Sequence, residues 1–170
     1  IQLSADKKKL SYLSNNTKDE KVQLFTIPLN GGSATQLTFE ENGVSNYHWV
    51  ADSQTVYYQT NINKKQEDND EEEKNDFPEK KVFTKLMYKA DGGGYLKENR
   101  LFQIKKINTS LLDEKPEMLV EEDRSLALLY VAKDESYVLL FDRFDPEDEW
   151  IYGGSIYKYE VVVIPCNCQC

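Results

Sequence analysis

A single histidine, His48, is the only imidazole the 170 residues contain, and every other ordinary catalytic ingredient has to be set against it. A Ser-His-Asp triad would have to use it, but no G-x-S-x-G nucleophile elbow occurs. The sequence Gly31-Gly32-Ser33-Ala34 lacks that spacing. His48 lies between Tyr47 and Trp49, the setting of a strand side chain rather than an exposed base. Three thiols, Cys166, Cys168 and Cys170, are spaced C-x-C-x-C at the far C-terminus. Structural zinc sites favour C-x2-C with a nearby His, so this pattern reads as a tail, not a metal knuckle.

Two further stretches invite a ligand. Glu67 to Asp76 holds seven acids and only Lys74 against them, with D-x-D spacing at Asp68 and Asp70 and Glu71 to Glu73 following. Hard oxygens of this kind collect Ca²⁺, but an EF-hand loop also needs a mid-loop glycine and a closing bidentate glutamate, which are missing. A solvated insertion is expected instead. Gly92-Gly93-Gly94 could cradle a phosphate, yet no G-K-[ST] follows; a bend returning Tyr95 to a sheet, with Asp91 accepting hydrogen bonds in it, fits better. No catalytic, cofactor-binding or metal-ligating residue is therefore assigned, and no cofactor is expected.

Charge narrows the partners. The formal net charge is −9, of which the acidic run supplies −6. No basic patch balances it, so nucleic acid is not an expected partner. No apolar run is long enough to span a membrane; Val161 to Pro165 has the length of a strand. Cysteines confined to the tail favour a reducing compartment, and the expected location is cytoplasmic.

What positions these residues is a repeat. Leu3 to Tyr12 (L-S-A-D-K-K-K-L-S-Y), Trp49 to Tyr58 (W-V-A-D-S-Q-T-V-Y-Y) and Tyr130 to Leu139 (Y-V-A-K-D-E-S-Y-V-L) share one plan. Each has an apolar start, Ala third, a charged fourth residue, then polar residues and an apolar or aromatic run. In this alignment the third copy has Lys133 where Asp6 and Asp52 stand. Those two aspartates are expected to cap a tight turn through its backbone N–H groups. Trp49 and Trp150, at strand starts, are expected to pack between repeats.

Between the phrases, strand-length apolar runs alternate with turn residues: Val22 to Leu29, Asn30-Gly31-Gly32, Thr35 to Phe39, Glu41-Asn42-Gly43. Leu24, Phe25 and Ile27 recur as Leu101, Phe102 and Ile104, and more loosely as Ile156 to Tyr159; Met118 to Val120 corresponds to Gln36 to Thr38. The interval from Asp6 to Asp52 is close to one propeller blade of roughly 40–45 residues. The expected fold is all-β, a partial β-propeller of about three four-stranded antiparallel blades. Its domain spans 1–165, with units at about 1–45, 46–125 (carrying the acidic insertion 63–76) and 126–165; 166–170 is the Cys-containing tail.

The chain resembles a known family at this point. Leu3 to Phe39 is similar to TolB-like or WD-type blades. Val82 to Phe102, with K-A-D-G-G-G-Y at Lys89 to Tyr95, resembles the N-terminal propeller of acylaminoacyl-peptidase-like enzymes of the prolyl oligopeptidase family. Family turns read S-P-D-G; here they read S-A-D-K, V-A-D-S and V-A-K-D. The resemblance implies a non-catalytic propeller that gates peptide access to an α/β-hydrolase domain of the parent chain. The implied partners are that domain and the parent's peptide substrates. A second expectation is a stand-alone module binding a protein or peptide. Three blades leave edges uncovered, so a homodimer through open sheet edges is also expected.

Overall fold

The computed structural model describes residues 1–63, 89–90, 94–95, 100–111, 115–123, 126–142 and 154–161. The acidic run, Asp91 to Gly93, Trp150 and the cysteine tail lie outside the described residues. All regular structure among those residues is strand.

Four strands, β1 (Gln2–Leu3), β2 (Lys9–Ser14), β3 (Gln23–Pro28) and β4 (Thr35–Gln36), form the first sheet as an antiparallel meander. The second repeats this plan with β5 (Val44–Trp49), β6 (Thr55–Asn63), β9 (Arg100–Asn108) and β10 (Glu117–Glu122). Between β6 and β9 sits a small ladder of β7 (Lys89–Ala90) and β8 (Gly94–Tyr95). The third sheet pairs β11 (Leu126–Val131), β12 (Tyr137–Asp142) and β13 (Ser155–Glu160). Three stacked antiparallel meanders make a partial β-propeller.

The long insertion is accommodated because its neighbours pair to the very mouth. Asn63 pairs with Arg100 and Thr55 with Asn108, so β6 and β9 are bonded over their whole length. β6 thus runs nine residues, to Asn63 at the edge of the insertion. The strand expected over Thr35 to Phe39 is shorter. Thr38 Oγ1 accepts the Leu24 N–H at 2.9 Å, so a side chain replaces the ladder partner and the chain peels away. Phe39 is left 80% exposed.

The strand period of two sends alternate side chains of β6 into opposite joints. Val56 and Tyr58 join Leu24, Leu37, Val44, Tyr47 and Ile107 between the first two sheets. Tyr57 joins Val50, Ile104, Val138 and Leu140 between the second and third. A β-bulge between Val44 and Asn46 brings Val44 and Tyr47 to the same face, although they are three residues apart.

The turns fix the repeat register and correct one sequence expectation. Lys7 (φ 58°), Ser53 (φ 59°) and Glu135 (φ 57°) are the left-handed residues of three equivalent turns. The same bonds close each. Lys7 N–H donates to Ser4 O, Ser53 N–H to Val50 O and Glu135 N–H to Ala132 O. The third phrase is therefore Val131 to Leu140, one residue later than the sequence alignment, and Asp134 holds the place of Asp6 and Asp52. Alanine is a poor anchor, because its side chain makes no turn bond; the aspartate's does.

Pairing also corrects the second repeat. Ile27 sits opposite Leu10, and Ile107 opposite Val56, so Leu24-Phe25-Ile27 is matched by Ile104-Lys105-Ile107. Leu101 and Phe102 lie three residues too early, an odd offset that would invert the faces. The third copy needs no change: Tyr159 pairs with Val138, Tyr157 with Leu140 and Ile156 with Phe141. Met118 pairs with Lys105 as Gln36 pairs with Phe25.

Left-handed conformation is unfavourable for a residue with a Cβ. Lys7 is exposed. Lys7→Gly is expected to raise stability by about 0.5–1 kcal/mol, since relief of strain exceeds the added chain entropy. Urea denaturation checks this; an unchanged or lower midpoint would contradict it.

Candidate functional site

The polar side chains gather in the two joints between sheets and at the turns, and each group is built from neighbouring strands. At the turns, Asp52 Oδ1 accepts from Gln54 N–H (2.9 Å) and Thr55 N–H (2.8 Å), while Oδ2 accepts from Thr55 Oγ1 (2.6 Å). Burial opposes ionisation, but these bonds outweigh it and hold the carboxyl below its ordinary pKa. Asp6 accepts from Ser4 Oγ at 2.6 Å and Lys8 N–H at 3.1 Å. Asp134 accepts from Ser136 Oγ at 2.7 Å and Ser136 N–H at 3.2 Å. Both are held low chiefly by the serine hydroxyl. The aspartates are turn caps.

In the second and third turns the left-handed residue beside the aspartate ties its sheet to the preceding one. Ser53 Oγ accepts the Asp6 N–H at 2.8 Å, and Glu135 Oε2 accepts the Tyr57 hydroxyl at 2.7 Å. Sequence reading missed this role. Its signal was the place where the resembled family carries glycine.

In the first joint, Ser11 is a hub. Its hydroxyl accepts from Trp49 Nε1 at 2.7 Å, and its carbonyl accepts from the Tyr47 hydroxyl at 2.9 Å. Burial raises the Tyr47 pKa against the opposing hydrogen bond from Ser11. Deeper along the sheet, Glu40 forms an ion pair with Lys105 (2.9 Å) and accepts the Tyr58 hydroxyl (2.7 Å). Burial first, and then Glu40, drive the Tyr58 phenol far above its ordinary range. Gln23 holds the backbone of Glu40, donating to its carbonyl at 2.7 Å and accepting its N–H at 3.1 Å. A cation, an anion and a phenol that answer one another make an interlock, with no group poised to attack a substrate.

In the second joint, the buried Gln59 carboxamide acts as a strand segment. It donates to Leu126 O at 2.7 Å and accepts from Leu128 N–H at 2.8 Å. His48 pairs with Tyr57 in the ladder and bonds the Leu128 backbone carbonyl. A triad base is oriented by a carboxylate and meets a hydroxyl; His48 instead meets a carbonyl. Burial lowers its pKa despite that bond. A lowered pKa favours folding above the unfolded value of about 6.5 and loses that contribution as pH falls. Wild type is expected to lose stability from pH 7 to 5 more steeply than His48→Gln. Parallel denaturation profiles would contradict this.

The structure does not bring the sequence candidates together. His48 lies on the third-sheet side of β5, Trp49 on the first-sheet side, and the aspartates at separate turns. Among the described residues no group of three or more His, Cys, Asp or Glu is placed to hold a metal ion. No helix among them is long and apolar enough to cross a membrane.

No family model matches this sequence, and no curated protein does. Solved structures do. An acylaminoacyl peptidase in complex with Z-Gly-Gly-Phe-chloromethyl ketone superposes with a TM-score of 0.65 at 16% identity, over 94% of this chain. The Pyrococcus horikoshii acylaminoacyl peptidase, in its orthorhombic crystal form, gives 0.64 at 15% identity over the same share.

The chain has the fold of part of an acylaminoacyl peptidase.

It spans 23% of the length of those peptidase chains. Identity this low conveys the fold alone, so the interlocks described above are properties of this sequence. The stretch Leu3 to Phe39 lies in the first sheet. The Lys89 to Tyr95 motif enters only through its two short strands, in which Lys89 pairs with Tyr95 and Ala90 with Gly94.

Proposed function

We propose that this chain is a non-catalytic propeller segment of a serine peptidase of the acylaminoacyl-peptidase kind, with units at about 1–45, 46–125 and 126–165. It narrows the route by which peptides reach an α/β-hydrolase domain carried elsewhere in the parent polypeptide. The observation that carries this is the superposition on peptidase structures over 94% of the chain. The joints are compatible with it: Ser11, Glu40 and Gln59 tie neighbouring sheets together through hydrogen bonds and an ion pair. The tail cysteines and the absence of others favour a cytoplasmic setting.

Residues 1–170 and the parent polypeptide, each purified to homogeneity, are compared on an acylaminoacyl chromogenic substrate. The parent is expected to turn it over and residues 1–170 are not. A parent sequence with no α/β-hydrolase domain, or turnover by residues 1–170 alone, would overturn the proposal.

A further inference from the structure

We infer that Asn30 is a site of spontaneous covalent modification, converting to aspartate and isoaspartate through a succinimide, and that the fold spares the other Asn-Gly pair, Asn42-Gly43. The inference stands on turn geometry and is independent of the peptidase reading.

The chemistry belongs to the Asn-Gly pair. The glycine amide nitrogen gives its proton to base and attacks the asparagine Cγ. A new C–N bond closes a five-membered imide, and the side-chain nitrogen leaves as ammonia. Water then opens the imide, giving aspartate, or isoaspartate when the main-chain carbonyl is the one attacked. No oxidant or reductant takes part, and water is the co-reactant. Glycine favours the step because it puts no side chain against the closing ring and lets the backbone turn freely.

The first pair meets the requirements. Asn30 and Gly31 are both exposed. Among the described residues the Asn30 carboxamide has no hydrogen-bond partner. The Gly31 N–H reaches Pro28 O at 3.4 Å, beyond the usual range of such a bond. Nothing lies within 4 Å of a Cβ position on Gly31, so the backbone has room to turn. Gly32, Ser33 and Ala34 lie outside any strand, and they absorb the extra main-chain methylene of isoaspartate before β4 opens at Thr35. Charge helps as well. Leu29 N–H donates to Lys8 O at 2.8 Å, which sets Asn30 beside the basic turn Lys7-Lys8-Lys9. Positive charge favours both the amide anion that attacks and the carboxylate that results.

The second pair is held on every side. Asn42 is half-buried and Gly43 is buried. Asn42 Nδ2 donates to Asn61 O at 3.1 Å, and the Gly43 N–H donates to Glu40 O at 3.0 Å. The leaving nitrogen and the attacking nitrogen are thus both tied. The Val22 main chain closes over Gly43, with Val22 O only 2.7 Å from a Cβ position there. Ring closure at Asn42 therefore needs a local opening that breaks both bonds.

Residues 1–170 are aged in mildly alkaline buffer, with and without urea, and each Asn-Gly pair is followed by peptide mapping and tandem mass spectrometry. The readout is the mass gained when water replaces ammonia, with isoaspartate separated from aspartate by its fragments. In the folded protein Asn30 is expected to convert roughly ten-fold or more faster than Asn42, the cost of breaking two hydrogen bonds. In urea the two rates are expected to converge, because neither pair is then held. Gly31→Ala is expected to leave Asn30 largely intact over the same interval. An unmodified Asn30, equal rates in the folded protein, or a difference that persists undiminished in urea would each overturn the inference.

Discussion

Gly43→Ala is expected to destabilise the protein by about 2–4 kcal/mol. Gly43 has φ 78°, a conformation that a side chain strains. A Cβ there would also lie 2.7 Å from Val22 O and 3.2 Å from Val22 N. Both obstacles are backbone, so no rotamer can clear them. Val22 O is further engaged, accepting the Val44 N–H at 2.7 Å, and this bond joins the first sheet to the strand that opens the second. Moving Val22 aside would break it. Gly31 is the control. Its φ is 103°, but nothing lies within 4 Å of a Cβ there. Gly31→Ala is expected to cost only the backbone strain, about 1 kcal/mol. Equal costs in urea denaturation would show that contact with Val22 is not what requires the glycine.

Gln59→Leu is expected to cost about 2–4 kcal/mol, because it strips two backbone groups of β11 of their partners. Leucine keeps the approximate volume and the apolar match to its surroundings. The loss therefore reports the orphaned Leu126 carbonyl and Leu128 N–H, which lie in a joint that excludes water. Gln54→Leu, at an exposed turn, is expected to stay within about 0.5 kcal/mol. Hydrogen exchange adds a local readout, with faster exchange at the Leu128 amide in Gln59→Leu. A change of less than about 0.5 kcal/mol would mean that β11 is held without the carboxamide.

The fold was legible because it rests on local rules. Strand periodicity, turn residues and the repeated phrase are written in adjacent residues, and they were enough for three antiparallel units. Register was less legible. It depends on which residue makes the turn bonds, and the eye follows Ala51 and Ala132 rather than Asp52 and Asp134. The Leu-Phe-x-Ile match failed in the second sheet for a related reason: Ile104 and Ile107 keep the faces that Leu24 and Ile27 use, but Lys105 replaces the phenylalanine. That lysine is there for Glu40, 65 residues away in sequence.

The candidate groups were the least legible. Gln59, Ser53 and Glu135 look like solvated strand or turn residues in sequence. Only the stacking of sheets turns them into ties, and stacking is set by contacts 47 to 78 residues apart. His48 was isolated in sequence, and among the described residues it meets the Leu128 backbone rather than a carboxylate.

The central claim is that this chain is the non-catalytic propeller part of a serine peptidase. Its most direct test is labelling of the purified parent polypeptide with a fluorophosphonate, followed by peptide mapping. The expected result is one adduct, on a serine outside residues 1–170. An adduct on any serine within residues 1–170, or a parent that takes no label, would contradict the account.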